Sequence, residues 1–349
     1  MPSVLPPQFE QFIRRMPKVE LHLHLEGAIT PRTLLELARR NGLDLGARSE
    51  AEVAALFHYR DFGAFLTVFM DLARAIVYGE DFERLAYELG RDLSEQCVRY
   101  AEVMISPMQH INRGVDLREA IEGAMAGFAR AERDGGVQVR LVLDYGRGYG
   151  TEPAWGVLEV ARAMQPRGVV GWSIGGNEIG HPPEPFAPLF AAARAAGLGV
   201  MAHAGEVVGP ASVWGAINTL GITRLGHGIR AVDDPDLVVA LRERGVVLDI
   251  CPTSNLLTGA VPSWEAHPLP RLRAAGVPLT INSDDPTFFR TTLTEEYRRA
   301  AIHFGFTADD LSATVLTAAT ASFLPPQGRA ALRHALAAEL DALRAELAV

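Results

Sequence analysis

The chain has 349 residues, 48% of them hydrophobic, and a formal net charge of −9. That apolar content can bury a large core, the acidic balance excludes nucleic acid as a partner, and the two cysteines, Cys97 and Cys251, provide neither a disulfide framework nor a CxxC metal site. No apolar run is long enough to span a membrane and the first twenty residues hold no apolar signal core, so a soluble cytoplasmic protein without a membrane partner is expected.

In chain order, the first regular element is "VELHLHL" (19–25). Val19, Leu21, Leu23 and Leu25 alternate with Glu20, His22, His24 and Glu26, and a period of two sends the two sets to opposite faces of a strand. One face is purely apolar; the other carries imidazoles and carboxylates that burial would not tolerate without partners. Residues 26–99 hold helical patterns, among them "FGAFLTVFMDLARAIV" (62–77) and "DFERLAYELGRDLSEQC" (81–97). They exceed one crossover and predict a helical lid over one end of the fold.

Strand patterns then recur at 100–106, 138–145, 168–175, 199–206, 224–229, 245–251 and 277–284, with helical patterns at 117–134 and 186–197 between them. Glycine stops such as "ERDGG" and "ARAAGLG" fit helix ends before a strand. Eight strands alternating with helices predict an α/β fold, a parallel (β/α)₈ barrel in a single domain over 1–349. The closing "QGRAALRHALAAELDALRAELA" reads as a terminal packing helix.

In such a barrel the chemistry sits at the C-terminal strand ends. His22 and His24 fall late in strand one, His203 and Glu206 at the end of strand five, His227 at the end of strand six, and Asp284 and Asp285 at the end of strand eight. Three histidines and an aspartate converging there suit one zinc ion. Glu206, three residues after a candidate ligand, is placed for general acid chemistry in a dry pocket, and Asp285 is free to meet substrate. His58, His110, His181, His267, His303 and His334 lie in helices or loops and are expected to have no catalytic part. "GRGYGT" (146–151) lacks the third glycine of a dinucleotide loop. Cys251 reads as a buried structural thiol, and the absence of GxSxG leaves a serine hydrolase unsupported.

The stretches "PKVELHLHLEG", "HAGE", "LGHGI", "CPTSN" and "NSDDP", in this order and spacing, resemble the adenosine deaminase family of the amidohydrolase superfamily from about residue 15 to residue 325. The resemblance implies a zinc-bearing barrel that hydrolyses the 6-amino group of an adenine ring. It implies His22, His24, His203 and Asp284 as metal ligands, Glu206 as proton donor to N1, His227 as the group orienting the attacking water, Asp285 at N7 and the Gly176 N–H at N3. Related barrels that hold two metals bridge them with a modified lysine on strand four. Lys18, the only lysine, precedes strand one, so one metal per chain is expected.

For the substrate, the resemblance points two ways. Glu26 stands where adenosine deaminases carry an aspartate that contacts the ribose 5′-hydroxyl, as in the adenine deaminase branch. The stretches around "GGNEIGHPPEP" and "HAGEVVGPASVWGA" look most like members acting on 6-amino-6-deoxyfutalosine of menaquinone biosynthesis, the favoured expectation, with adenosine and adenine as alternatives. That substrate's carboxylate needs a cation, for which Arg113 and Arg147, in the loops after strands two and three, are the candidates. "TAATAS" stands where the family usually has an asparagine before "SFL". A zinc ester or amide hydrolase and a non-catalytic binding barrel are the competing classes; the intact acid–base set argues against the latter.

Overall fold

The architecture comes from a computed structural model that describes residues 5–349. Eight parallel strands follow one another around a barrel in chain order: β1 (Lys18–His24), β2 (Val98–Ile105), β3 (Gln138–Gly146), β4 (Val169–Gly175), β5 (Gly199–Ala204), β6 (Arg224–His227), β7 (Val247–Ile250) and β8 (Leu279–Ile281). This is the expected (β/α)₈ barrel. Both faces of every strand are covered, which is why segments such as Val139–Tyr145 are buried almost throughout.

The last strand is shorter than its apolar pattern predicts. It stops at Ile281, and side-chain bonds replace the ladder beyond it. The Asn282 Oδ1 accepts the N–H groups of Leu21 at 2.9 Å and His22 at 3.2 Å. Asp284 then donates its N–H to the His22 carbonyl at 3.1 Å and accepts the His24 N–H at 2.8 Å. β1 is thereby stitched to the chain after β8, and Asp284 is delivered beside the two histidines. The turn places Asp284 at φ 64°, a left-handed conformation that is costly for a non-glycine residue.

The lower part of the barrel interior is polar. Arg224 of β6 pairs across the barrel with Glu102 of β2 at 2.6 Å and with Asp249 of β7 at 3.0 Å, and all three are fully buried. Tyr100 donates to Glu102 at 2.9 Å, Thr280 donates to Asp249 at 2.8 Å, and the Phe323 ring lies 4.0 Å from the guanidinium carbon of Arg224. Met104, Val142 and Met201 form an apolar cluster of their own. Two positions further along β3 and β5 come Asp144 and His203, as the period of two requires.

The long insertion after β1 forms the helices Pro31–Arg40, Glu50–Ala55, Phe62–Ala73 and Gly79–Glu95. Phe57 stacks on Phe288 at 4.7 Å, Phe65 meets Phe289 at 4.9 Å, and Phe69 meets Phe288 at 5.8 Å. The lid is therefore anchored to the residues that follow the Asp284–Asp285 pair, by contacts typically worth about 0.5–1.5 kcal/mol each beyond their area. Helix Pro326–Leu347 packs against Ala308–Ala321 and Pro7–Arg15. Among the described residues no helix is long and apolar enough to cross a membrane.

Candidate active site

His22 and His24 sit on the same side of β1 with ring centroids 5.7 Å apart, and His203 of β5 comes within 4.6 Å of the His22 ring and 5.6 Å of the His24 ring. The barrel thus answers what lies opposite the two strand-one histidines: another imidazole, and the carboxylate of Asp284. His22 Nε2 lies 3.3 Å and His24 Nε2 3.5 Å from Asp284 Oδ1. Both nitrogens of His22 are buried without a hydrogen-bond partner, as is Nδ1 of His24. Ligands about 2.0–2.1 Å from a tetrahedral ion stand about 3.3 Å from one another. Unpaired imidazoles at that separation from a carboxylate fit a metal site better than a hydrogen-bonded cluster. Candidate ligand atoms of His22, His24 and His203 all lie within 4.8 Å of one another. His203 donates Nδ1–H to the Ile174 carbonyl at 3.2 Å, which leaves Nε2 free to serve as a ligand. Cys251 Sγ also lies within 4.8 Å of candidate ligand atoms of His22 and Asp284; burial pushes its thiol pKa well up, as for an inert structural cysteine.

Local backbone accounts for the way these groups converge. Gly226 leaves room for the His22 ring: a Cβ there would lie 2.8 Å from Cε1. The next residue, His227, takes φ 60°. Its Nδ1 lies 3.2 Å from the Asn255 amide, and its Nε2 faces Glu206 at 3.6 Å and Asp284 at 3.9 Å. Burial holds the His227 imidazole well below its usual pKa, and burial likewise lowers His22 to about 4, so both favour the neutral ring.

The carboxylates divide by environment. Burial, reinforced by Asp284 and Glu178, raises the pKa of Glu206 well above its usual value, as a proton donor requires. Asp284 and Asp285 form a coupled pair. Burial alone would raise Asp284, but His22, His227 and His24 hold it well below its usual range; burial and the charge of Asp284 raise Asp285. Asp285 is pressed against the Gly27 backbone, where no Cβ would fit.

The cavity above this centre has a volume of about 650 Å³ including its mouth. His24, His203, Glu206, His227, Asp284, Asp285 and Gly176 line it, together with Asp144, Ser106, Met108, Gln109 and Gly146, and the lid contributes Phe62, Phe65, Leu66 and Phe69. Gly176 takes φ 81° at the end of the β4 turn. The structure therefore gathers the candidate ligands with Glu206, His227, Asp285 and Gly176, but not Glu26. That residue leaves β1 in the short turn Glu26–Ala28; its Oε1 accepts the Ser106 N–H at 2.9 Å and lies 2.8 Å from Nε2 of His110. His110, expected to be idle, is thus fully buried behind the cavity wall.

Neither candidate arginine lines the cavity. Arg147 is buried, its guanidinium donating to the carbonyls of His203, Ile174 and His181. Arg113 donates to the carbonyls of Gln109 and Ala73 and reaches Nδ1 of His110 from outside the wall. Backbone carbonyls, most of them at strand and helix ends, hold both cations, and a loop position alone gave no sign of that.

Two contributors were missed in the sequence. Asp144 carried a strand-end signal at the end of strand three. Burial alone would raise its pKa, and His203 beside it more than offsets this, to about 2. Glu178 of "GGNE" gave no signal, because its partners are four backbone N–H groups and one distant serine hydroxyl. Its Oε1 accepts from the Gly205 N–H and the Ser212 hydroxyl at 2.7 Å each, and its Oε2 from the N–H groups of Glu206, Val207 and Val208 at 2.9–3.1 Å. This single carboxylate holds the turn that carries Glu206.

Residues 17–339 match the family described as Adenosine deaminase. The chain is 40% identical to an aminodeoxyfutalosine deaminase of Acidothermus cellulolyticus over 296 residues, 83% of each protein. It is 36% identical to an adenine deaminase of Caulobacter vibrioides over 322 residues, 92% of this chain and 93% of that one. A crystal structure of an amidohydrolase from Burkholderia ambifaria with bound zinc superposes with a TM-score of 0.90 at 32% identity, covering 99% of this chain and 96% of the other.

Proposed function

The chain belongs to the adenosine deaminase family and is a hydrolytic deaminase of adenine-containing compounds; from that premise we propose that it uses one zinc ion and acts on adenine itself or a small uncharged adenine derivative. The cavity wall carries this reading. Four carboxylates (Asp144, Glu206, Asp284 and Asp285) and an aromatic lid line it, and no lysine or arginine does. A buried anionic group on the substrate would find no basic side chain there to offset its charge.

His22, His24, His203 and Asp284 would hold the ion. When bound, zinc supplies the nucleophile by lowering the pKa of water toward ~7. The residues of the chain do the rest. His227 orients the water through Nε2. Glu206 donates its proton to N1, which draws electrons from C6 and opens it to attack. Asp285, protonated, donates to N7, and the Gly176 N–H meets N3. Water adds at C6, ammonia leaves, and the ring keeps an oxo group. Glu26 acts indirectly, holding the Ser106–Gln109 wall in place through Ser106 and His110.

A second reading, 6-amino-6-deoxyfutalosine as substrate, is favoured by the 40% identity to an enzyme so named. Relative kcat/KM for adenine, adenosine and aminodeoxyfutalosine separates the two. We expect adenine to lead; a lead for aminodeoxyfutalosine would establish the second reading in its place.

A further inference from the structure

Asp144 is the one carboxylate of the cavity wall to which the proposed mechanism gives no part. It stands near the end of β3, 5% exposed, with Oδ1 lacking any hydrogen-bond partner. The nearest imidazole nitrogen, Nδ1 of His203, is 3.4 Å away, and its proton goes to the Ile174 carbonyl instead. A buried carboxylate oxygen without a donor is costly, and the cavity it lines is where a donor can arrive.

The order of strands says which donor. With C6 over the metal centre, the proposed contacts place N1 at Glu206 after β5, N3 at Gly176 after β4 and N7 at Asp285 after β8. Around the purine, stepping from N3 away from N1, the next nitrogen is N9, and N7 follows. Around the barrel, stepping from β4 away from β5, the next strand is β3, then come β2 and β1, and β8 follows. The two circuits run in the same order, so N9 falls on the arc from β3 to β1, where Asp144 is the one carboxylate lining the cavity. Asp144 is paired in register with Ser173, and its carboxylate fills the space a Cβ on Gly175 would need, next to the Gly176 that meets N3.

We propose that Asp144 accepts the N9–H of free adenine and so selects the base over compounds substituted at N9. This rests on the adenine reading above. In the tautomer with hydrogen on N9, N9 is a donor and N7 an acceptor, which matches a carboxylate at β3 and a protonated Asp285 after β8. A substituent on N9 removes the donor and leaves a buried carboxylate facing carbon. Sites built around a hydrogen bond reject analogues that lack it for this reason.

The test compares adenine with 9-methyladenine, which lacks only that hydrogen and adds a methyl group, scored as substrate or as competitive inhibitor. Wild type, Asp144→Asn and Asp144→Ala are assayed alongside bound zinc and thermal stability. The expected result is a fall of about 10- to 150-fold in kcat/KM for adenine, with zinc retained and 9-methyladenine unaffected or improved, so that the discrimination collapses. Variants that keep the wild-type ratio, or that lose zinc together with action on both compounds, overturn the proposal; the latter would make Asp144 a support for His203. A wild-type protein without adenine deaminase activity would instead sink the substrate reading beneath it.

Discussion

Removing the acceptor that Glu178 provides should cost both stability and catalysis, and the hydrogen bonds allow the size to be worked out. In Glu178→Gln the amide can turn its oxygen toward the three N–H groups now held by Oε2. The Ser212 hydroxyl can rotate to accept from the new NH₂. The Gly205 N–H cannot, and it is left facing a donor at the 2.7 Å position. One orphaned buried N–H costs about 1–3 kcal/mol, and three bonds weakened from ionised to neutral acceptor add to it, while relief of the buried charge subtracts. The net is about 2–4 kcal/mol. Glu178→Ala orphans four N–H groups and should lose more. Because the same turn carries Glu206, kcat should fall by roughly tenfold to a hundredfold through misplacement of the acid. Urea unfolding midpoints and steady-state kcat test this together. An alanine variant with wild-type stability and wild-type kcat would refute the argument that this carboxylate organises the turn.

Glu206→Gln should bind zinc and substrate normally but lose about 10⁴-fold in kcat, the upper end for general acid catalysis, since an amide cannot supply the N1 proton; a variant within tenfold of wild type would mean the proton comes from elsewhere. Chelation, His22→Ala and Asp284→Ala should each abolish activity, with metal content by elemental analysis falling well below one per chain in the two variants; full activity in a metal-free sample would contradict the ligand set. Arg224→Met should destabilise the fold by about 3–5 kcal/mol, because Glu102 and Asp249 then face each other buried and unpaired; an unchanged unfolding midpoint would show that those carboxylates are neutral.

The barrel and the convergence of the candidate metal ligands were legible because strand periodicity and strand-end position are both local signals. "HLHL" alternates visibly, and His203, His227 and Asp284 each fall near the end of a strand pattern. What escaped depends on partners distant in sequence. β8 ends early because an asparagine side chain, 260 residues from the N–H of His22, replaces the ladder. Arg224, Glu102 and Asp249 lie on three strands, and nothing near any of them announces the others. Arg113 and Arg147 have the right chemistry for a carboxylate, yet folding commits both to carbonyls first. Glu26 sits on the histidine face of the alternating pattern, but the chain turns out of the strand before reaching it.

The barrel also separates the parts of the reaction by strand. The groups proposed to act at C6, N1 and N7 come from β5, β6 and the segment after β8, joined by His22 and His24 of β1. The wall proposed to meet the rest of the ring and anything attached to it comes from β3, from Gly176 after β4, from the Ser106–Gln109 segment after β2, and from the lid. A change of substrate can therefore be made on one arc without disturbing the other. Relatives named for adenine and for aminodeoxyfutalosine match this chain at 36% and 40% identity, a small difference for such different molecules. Overall identity averages over the whole scaffold and cannot weigh one wall of the cavity. The charge and hydrogen-bonding character of the β2–β3 wall, with Asp144 facing the cavity and both arginines turned away, bears on the substrate more directly.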